Sequence, residues 1–384
     1  LMLMQSKGGV VTTATARAYP IRLLESGPAA GAIGAAYVGA QLGMDRLIAF
    51  DMGGTTAKVC IVEGGEPTVR NGFEVGRVHR LKQGSGLPVS MPVVDMIEIG
   101  AGGGSIAHID DTGLLDIGPQ SAGSDPGPVC YGLGNDRPTV TDANLVLGRI
   151  DARNPIGDKL TGLDSEAAAT AIDTHIATPL GISIHEAAEA IIRVANAKMA
   201  GAIRLISIER GHDPKRFAAM PFGGGGALHA GALVREIGLA AAIVPRFPGV
   251  NSALGCVMSD LRHDEVRTLN RMLDALDCEE LARMIDEITL SSEEVIRRSK
   301  ASIEGLHCII ELDMLYLGQT HAVAVPLAVT ADGITTGTIR AAFDASYKRT
   351  YGRLLENIPV RVLNRRLSVI GRRPEVDIDS LARG

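Results

Sequence analysis

The sequence contains no tryptophan, and phenylalanine and tyrosine number only 6 each. Aromatic platforms for unpaired bases are therefore scarce, which argues against a single-stranded nucleic acid ligand. No long basic run is present and the formal net charge is −6, so nucleic acid is disfavoured more generally. Cysteine is rare too, with 5 residues at irregular spacing and no Cys-x-x-Cys pair. That argues against a disulfide scaffold and suits reduced thiols in a cytoplasmic enzyme. No stretch has the length and apolarity of a membrane span, and no signal peptide is visible. The P-loop pattern Gly-x-x-x-x-Gly-Lys-[Ser/Thr] is missing, as is a Rossmann fingerprint in strand–helix context.

Glycine, by contrast, is abundant, at 46 of 384 residues in a chain that is 46% hydrophobic. This composition predicts an α/β protein with an aliphatic core, many tight turns and length enough for two or three domains. The most informative stretch is Leu47-Ile48-Ala49-Phe50-Asp51-Met52-Gly53-Gly54-Thr55-Thr56-Ala57-Lys58-Val59. A buried-strand pattern ends in an acid, a small-residue turn follows, and an alternating strand resumes. Such a hairpin can bring backbone N–H groups and hydroxyls close to an anion, because glycine has no Cβ to hold a phosphate away. The acid at the strand end suits Mg²⁺ or an oriented water. A tight glycine hairpin without a ligand is the plainer alternative.

Two further glycine turns follow. Val93 to Gly100 reads as a buried strand running into Ala101-Gly102-Gly103-Gly104-Ser105. Phe217 to Phe222 reads as a strand delivering Gly223-Gly224-Gly225-Gly226, and Ala227 to Gly238 continues as helix. A helix N-terminus attracts anions through its unpaired N–H groups and dipole. One nucleotide touching both the Asp51 hairpin and the Gly223–Gly226 turn requires them to face one cleft. Elsewhere, Ser26 and Pro28 read as cap and first turn of a Gly/Ala-rich helix suited to close packing. Thr141 or Asp142 reads as another helix cap, and 165–210 has helical period. Near Thr268 glycine falls away and a charged helix begins, which reads as the start of a separate α+β module. The expected division is 1–268 and 269–384.

The paired hairpin and glycine turn are the layout of the actin-like (ribonuclease H-like) ATPase fold, which is the expected fold of the first module. The chain resembles the hydantoinase A / 5-oxoprolinase family, which includes N-methylhydantoinase A and the acetone carboxylase β subunit. The matching segments include Glu25-Ser26-Gly27-Pro28, Phe50 to Lys58, Ile99 to Ala107, Ser124 to Gly132, Pro138 to Asn144, Phe222 to Ala230, Leu261 to Asp264 and Leu317-Gly318-Gln319. His108 is a departure, standing where relatives often carry an aromatic.

The resemblance implies ATP-dependent activation of a stable carbonyl by phosphorylation of its oxygen. The implied enzyme is a hydrolase opening a cyclic amide of hydantoin or 5-oxoproline type. Alternatives are a ketone carboxylase subunit, a nucleotide-gated regulatory protein of the same fold, and a small-molecule kinase. The implied cofactors are ATP and Mg²⁺. Asp51 is the expected catalytic and metal-binding residue, and Gly53, Gly54, Thr55, Thr56, Gly102, Gly103 and Gly223 to Gly226 are the expected nucleotide contacts. A second enzyme subunit of hydantoinase B type is the expected partner. Full-length relatives begin with a domain carrying its own phosphate loop and, with it, a place for a second divalent metal. The chain starts at Leu1, without an initiator Met and without that loop, so it is expected to be part of a longer protein.

Other polar residues admit two readings each. Asp95 is a second candidate catalytic carboxylate, but with Glu98 at i+3 on a strand the two point to opposite faces. Cys130 near Asp125 reads as a metal ligand or a buried thiol. His229 follows the Gly223–Gly226 turn and reads equally as nucleotide contact or packing. His263-Asp264 reads as an ion-paired turn, and His321 as structural.

Overall fold

A computed structural model of the chain describes residues 1–76, 84–154, 161–328 and 333–374. Its contacts divide into two compact units. The larger holds Met4–Gly8 and Tyr19–Met258, and the smaller holds Leu1–Leu3, Gly9–Ala18 and Ser259–Gly384.

The larger unit is organised by Arg46–Met52 (β1), whose Leu47, Ile48 and Phe50 are completely buried. A strand so apolar on both faces belongs at the centre of a covered sheet. Ala57–Glu63 (β2) returns antiparallel to it, with Asp51 opposite Lys58. Val69–Val75 (β3) and Leu87–Val94 (β4) pair as a separate ribbon. Met96–Ile99 (β5) then adds antiparallel to β2. Ser105–Ile109 (β6) and Leu115–Ser121 (β7) form a further hairpin. Ala218–Phe222 (β8) lies parallel to β1 on its other side, and Ala241–Ala242 (β9) lies parallel to β8. The order β9-β8-β1-β2-β5, three antiparallel strands followed by two parallel ones across β1, is the ribonuclease H-like arrangement of actin-like lobes.

Helices cover this sheet. Ser26–Gln41 (α1) has Gly or Ala at 10 of its 16 positions. Ser26 is its first helical residue rather than its cap, and Glu25 precedes it without a side-chain cap bond. Val140–Val146 (α2) starts with a capping box in which Thr139 and Asp142 satisfy each other's orphan donors. The cap is thus Thr139, two residues before Thr141, with Asp142 as its capping-box partner. Ile184–Ile206 (α3) also opens with a capping box, Ser183 with Glu186, and buries Ile191, Ile192, Ala195, Met199 and Ile203 in the main core. Ala230–Ile237 (α4) follows the Gly223–Gly226 turn, and Asn251–Met258 (α5) closes the unit.

The smaller unit is a sheet with Leu261–Met272 (β10), Val360–Arg372 (β13), Gly305–Tyr316 (β11) and Val323–Pro326 (β12) in that order. Short strands Met2–Met4 and Val10–Thr12 extend it beyond β10. Cys278–Arg298 (α6) and Thr336–Tyr351 (α7) supply Leu281, Ile285, Ile339 and Phe343 to its core. β10 runs through Thr268, so the contact boundary lies at 258/259 and the composition shift falls inside a strand. This strand escapes sequence reading because Arg262, His263, Asp264, Glu265 and Arg267 break the apolar alternation.

Candidate active site

β1 and β8 run parallel and end side by side, with Asp51 paired to Phe222. Their turns therefore begin at the same edge of the sheet. Gly223 adopts a φ of +83°, and a Cβ built there lies 2.5 Å from both Asp51 Oδ1 and the Met52 carbonyl. Only glycine lets the chain leave β8 beside that carboxylate. Gly225 lies against the Met52 side chain and Gly226 against Phe50, whereas Gly224 faces open space. The Gly223–Gly226 turn is itself helical and leads through Ala227–His229 into α4.

The Gly102–Gly104 turn meets the same hairpin from another direction. A Cβ on Gly102 falls 2.6–2.7 Å from backbone atoms of Thr55, Gly54 and Thr56. The Gly103 amide donates to Gly53 O at 3.0 Å and the Gly104 amide to Gly54 O at 2.6 Å. Gly102 N donates to Ser105 Oγ at 2.8 Å. Thr141 closes the other side, its amide and hydroxyl both donating to Gly103 O. Gly102 and Gly103 thus brace the hairpin, and their amides are already engaged.

What remains open is the tip. Gly53, Gly54 and Thr55 are exposed. Gly53 N donates to Thr56 O across the turn, and no neighbour comes within 4 Å of a Cβ built on Gly54. Asp51 is largely buried just behind this tip, and burial holds its carboxyl above the usual range while Lys58 partly offsets that. Lys58 is fixed in turn by Glu25 Oε2 at 3.1 Å.

The structure brings together Asp51, Gly53–Thr56, Gly102, Gly103 and Gly223–Gly226. It does not bring Asp95 there. Asp95 lies just before Met96, whose strand partner is Cys60, whereas the hairpin end pairs Ala57 with Ile99. Four residues of strand separate them, roughly 13 Å. Asp95 is buried and bonded to Arg210, with Arg70 Nε 3.5 Å away, so it is a charge partner for two guanidiniums.

His229 is only 1% exposed. Its Nδ1 lies 2.6 Å from Asn196 Oδ1 on α3, Nε2 has no hydrogen-bond partner among the described residues, and burial lowers its pKa to about 4. Cys130 is a buried free thiol whose pKa is pushed up by burial and by Asp142, which suits packing rather than metal binding. Asp264 pairs with Arg262. Sequence reasoning missed Lys58, Glu25 and Thr141, whose partners lie far away along the chain.

Among the described residues no cluster of three or more His, Cys, Asp or Glu side chains could hold a metal. Mg²⁺ needs no such cage, because it keeps several waters and takes one or two carboxylates plus phosphate oxygens. A single Asp51 behind an open glycine tip fits that requirement.

A model of the family described as hydantoinase/oxoprolinase matches residues 1–265. The chain belongs to the hydantoinase/oxoprolinase family. It is 39% identical over 388 residues to an uncharacterized protein of Methanocaldococcus jannaschii, covering 97% of this chain and 54% of that protein. It is 35% identical over 382 residues to caprolactamase subunit alpha of Pseudomonas jessenii, covering 98% of this chain and 53% of that protein. The crystal structure of that ATP-dependent caprolactamase matches with a TM-score of 0.72 over 97% of this chain and 54% of that one. A nucleotide-free acetone carboxylase structure matches with a TM-score of 0.77 at 27% identity, over 98% of this chain and 53% of that one. This member of the family therefore spans about half the length of the relatives it matches.

Proposed function

We propose that the chain is the Asp51-hairpin portion of an ATP-dependent enzyme that opens a cyclic amide of hydantoin or 5-oxoproline type. The observation that carries this reading is the convergence of two glycine turns on one exposed glycine hairpin with a carboxylate behind it. Gly54 and Thr55 would bind phosphate oxygens, with Thr56 at the base of the tip and Gly53 shaping it. Gly224 and its neighbours would face the nucleoside side. Gly102 and Gly103 would act by bracing the hairpin. Asp51 would hold Mg²⁺, directly or through water; its raised pKa falls when a cation binds, since a nearby positive charge favours the carboxylate. Bound ATP supplies the phosphoryl group that turns a carbonyl oxygen into part of a leaving group. The protein's share is positioning and charge neutralisation.

Identity to a caprolactamase subunit favours the amide reading. Fold similarity to acetone carboxylase supports a second reading, carboxylation of a ketone activated through its enolate. Both relatives' names describe multi-component or ATP-dependent enzymes, and a second subunit is part of the proposal.

The test is isotopic. A cyclic amide labelled with ¹⁸O at its carbonyl is turned over by the full-length enzyme with its partner subunit and ATP. After phosphorylation of the carbonyl oxygen, one water attacks the carbon and the ring nitrogen leaves as the amine, which opens the ring and leaves an acyl phosphate; a second water attacks that carbonyl carbon and expels phosphate, so the label passes into inorganic phosphate. Label retained wholly in the product carboxylate would rule out this activation, and turnover of a ketone with bicarbonate in place of the amide would select the second reading.

A further inference from the structure

The Ser124–Gly132 segment belongs to the loop that joins β7 to α2, and both ends of that loop are fastened to the Gly102–Gly104 turn. At its start the Ala122 amide donates to Gly104 O at 2.8 Å. A Cβ built on Gly104 would lie 3.0 Å from Gly54 O and 3.2 Å from Gly123 O, so this glycine is sandwiched between the hairpin tip and the loop. The far end is held by α2. Asp142 is completely buried and accepts from the amides of Val129 and Cys130 at 3.1 and 2.8 Å. It also accepts from the Thr139 amide and hydroxyl at 2.8 and 2.7 Å. Burying a carboxylate is costly unless its oxygens find donors, and here those donors fix the loop. Thr141, next to Asp142, bonds to Gly103 O.

Within this frame Gly127 N donates to Ala122 O at 3.0 Å and closes a short turn that leaves Ser124, Asp125 and Pro126 exposed. Asp125 follows Gly123 by two residues, at most roughly 7 Å of chain. Among the described residues its carboxylate has no hydrogen-bond or ion-pair partner. A free carboxylate this close to a phosphate site repels the nucleotide unless a cation is shared between them. Mg²⁺ takes one or two carboxylates together with phosphate oxygens and waters. Asp51, largely buried behind the tip, supplies one such carboxylate.

We infer that Asp125 is a second carboxylate for the divalent cation of the Asp51 hairpin, meeting it directly or through a bound water. The inference rests on the proposed reading of that hairpin as the phosphate site of ATP. The buried Asp142 serves by holding the loop that presents Asp125, and does not itself meet the cation.

The test uses the full-length enzyme with its partner subunit, loaded with a non-hydrolysable ATP analogue and titrated with Mn²⁺ under electron paramagnetic resonance. Asp125→Asn is expected to weaken Mn²⁺ binding about tenfold, the scale of one charge-assisted contact, and Asp125→Glu to recover part of that loss. In EDTA, without a divalent cation, the Asn variant is expected to bind the analogue at least as tightly as wild type by calorimetry, because a repelling charge is gone. A loop that only supports the hairpin would weaken the analogue in both conditions. Asp136→Asn, at an exposed acid further along the same loop, is expected to behave like wild type. Wild-type Mn²⁺ affinity in a folded Asp125→Asn enzyme, an equal loss in Asp136→Asn, or weakened analogue binding in EDTA would overturn the inference and leave the ATP reading in place. A wild-type enzyme that binds no analogue would overturn the ATP reading and this inference with it.

Discussion

At the scale of the residue, the site depends on what has no side chain. Gly223 sits where a methyl group would meet Asp51, and Gly102 sits where one would meet the hairpin backbone. Both were legible in the sequence as members of glycine runs. Their division into bracing and open positions was not, because it depends on which amides find acceptors across the fold. Asp51 was legible as an acid ending a strand, whereas the pairing of Asp95 with Arg210 joins residues remote in sequence. His229 gives a prediction at this scale. Its pKa of about 4 in the fold, against 6.5 for the free side chain, means that the unfolded chain binds the extra proton between those values. This burial is free of penalty above pH 6.5 and costs progressively more stability as pH falls towards 4, reaching roughly 3 kcal/mol. His229→Gln should therefore lose stability at pH 7.5 through the altered Asn196 contact, yet show a shallower fall in Tm between pH 7 and 5 than wild type. Parallel Tm–pH curves would show that His229 does not titrate in this way.

At the scale of the element, the Gly/Ala helix α1 illustrates what periodicity can and cannot tell. Its composition pointed to close packing but not to a partner. The partner is α5: a Cβ on Gly255 would lie 1.8 Å from the Ala30 carbonyl, and Gly34 meets the Asn251 backbone and side chain. Asn251 Nδ2 also donates to Gly31 O at 3.0 Å. Backbones this close cannot yield to a flexible tip, so overpacking here exceeds the ordinary cost of about 1–3 kcal/mol. Gly255→Ala is expected to lower the denaturation midpoint by at least that equivalent, measured by urea unfolding, while Gly249→Ala, where a Cβ meets nothing within 4 Å, is expected to change little. Indistinguishable midpoints would mean that the two helices separate at little cost. Strand β10 teaches the opposite lesson, since its polar residues hid a strand that pairing with β13 holds in place.

At the scale of the whole molecule, the order β9-β8-β1-β2-β5 is set by the non-local pairing of β8 with β1, but the actin-like fold class could be anticipated from the Asp51 hairpin and the Gly223–Gly226 turn. The boundary between units could not, because Leu1–Leu3 and Gly9–Ala18 return to the C-terminal sheet through non-local pairing. The chain covers 54% and 53% of the length of two relatives, so ATP turnover is a proposal about the whole protein to which this lobe would contribute. The central claim is that the Asp51 hairpin serves ATP turnover there. Amide-stimulated phosphate release by the full-length enzyme with its partner subunit, measured side by side for wild type, Asp51→Asn and Gly223→Ala, tests it most directly. The account predicts a loss of at least about 100-fold in both variants, the scale on which removal of one charge-stabilising group acts, with folding intact by circular dichroism. Wild-type rates in two well-folded variants would contradict it.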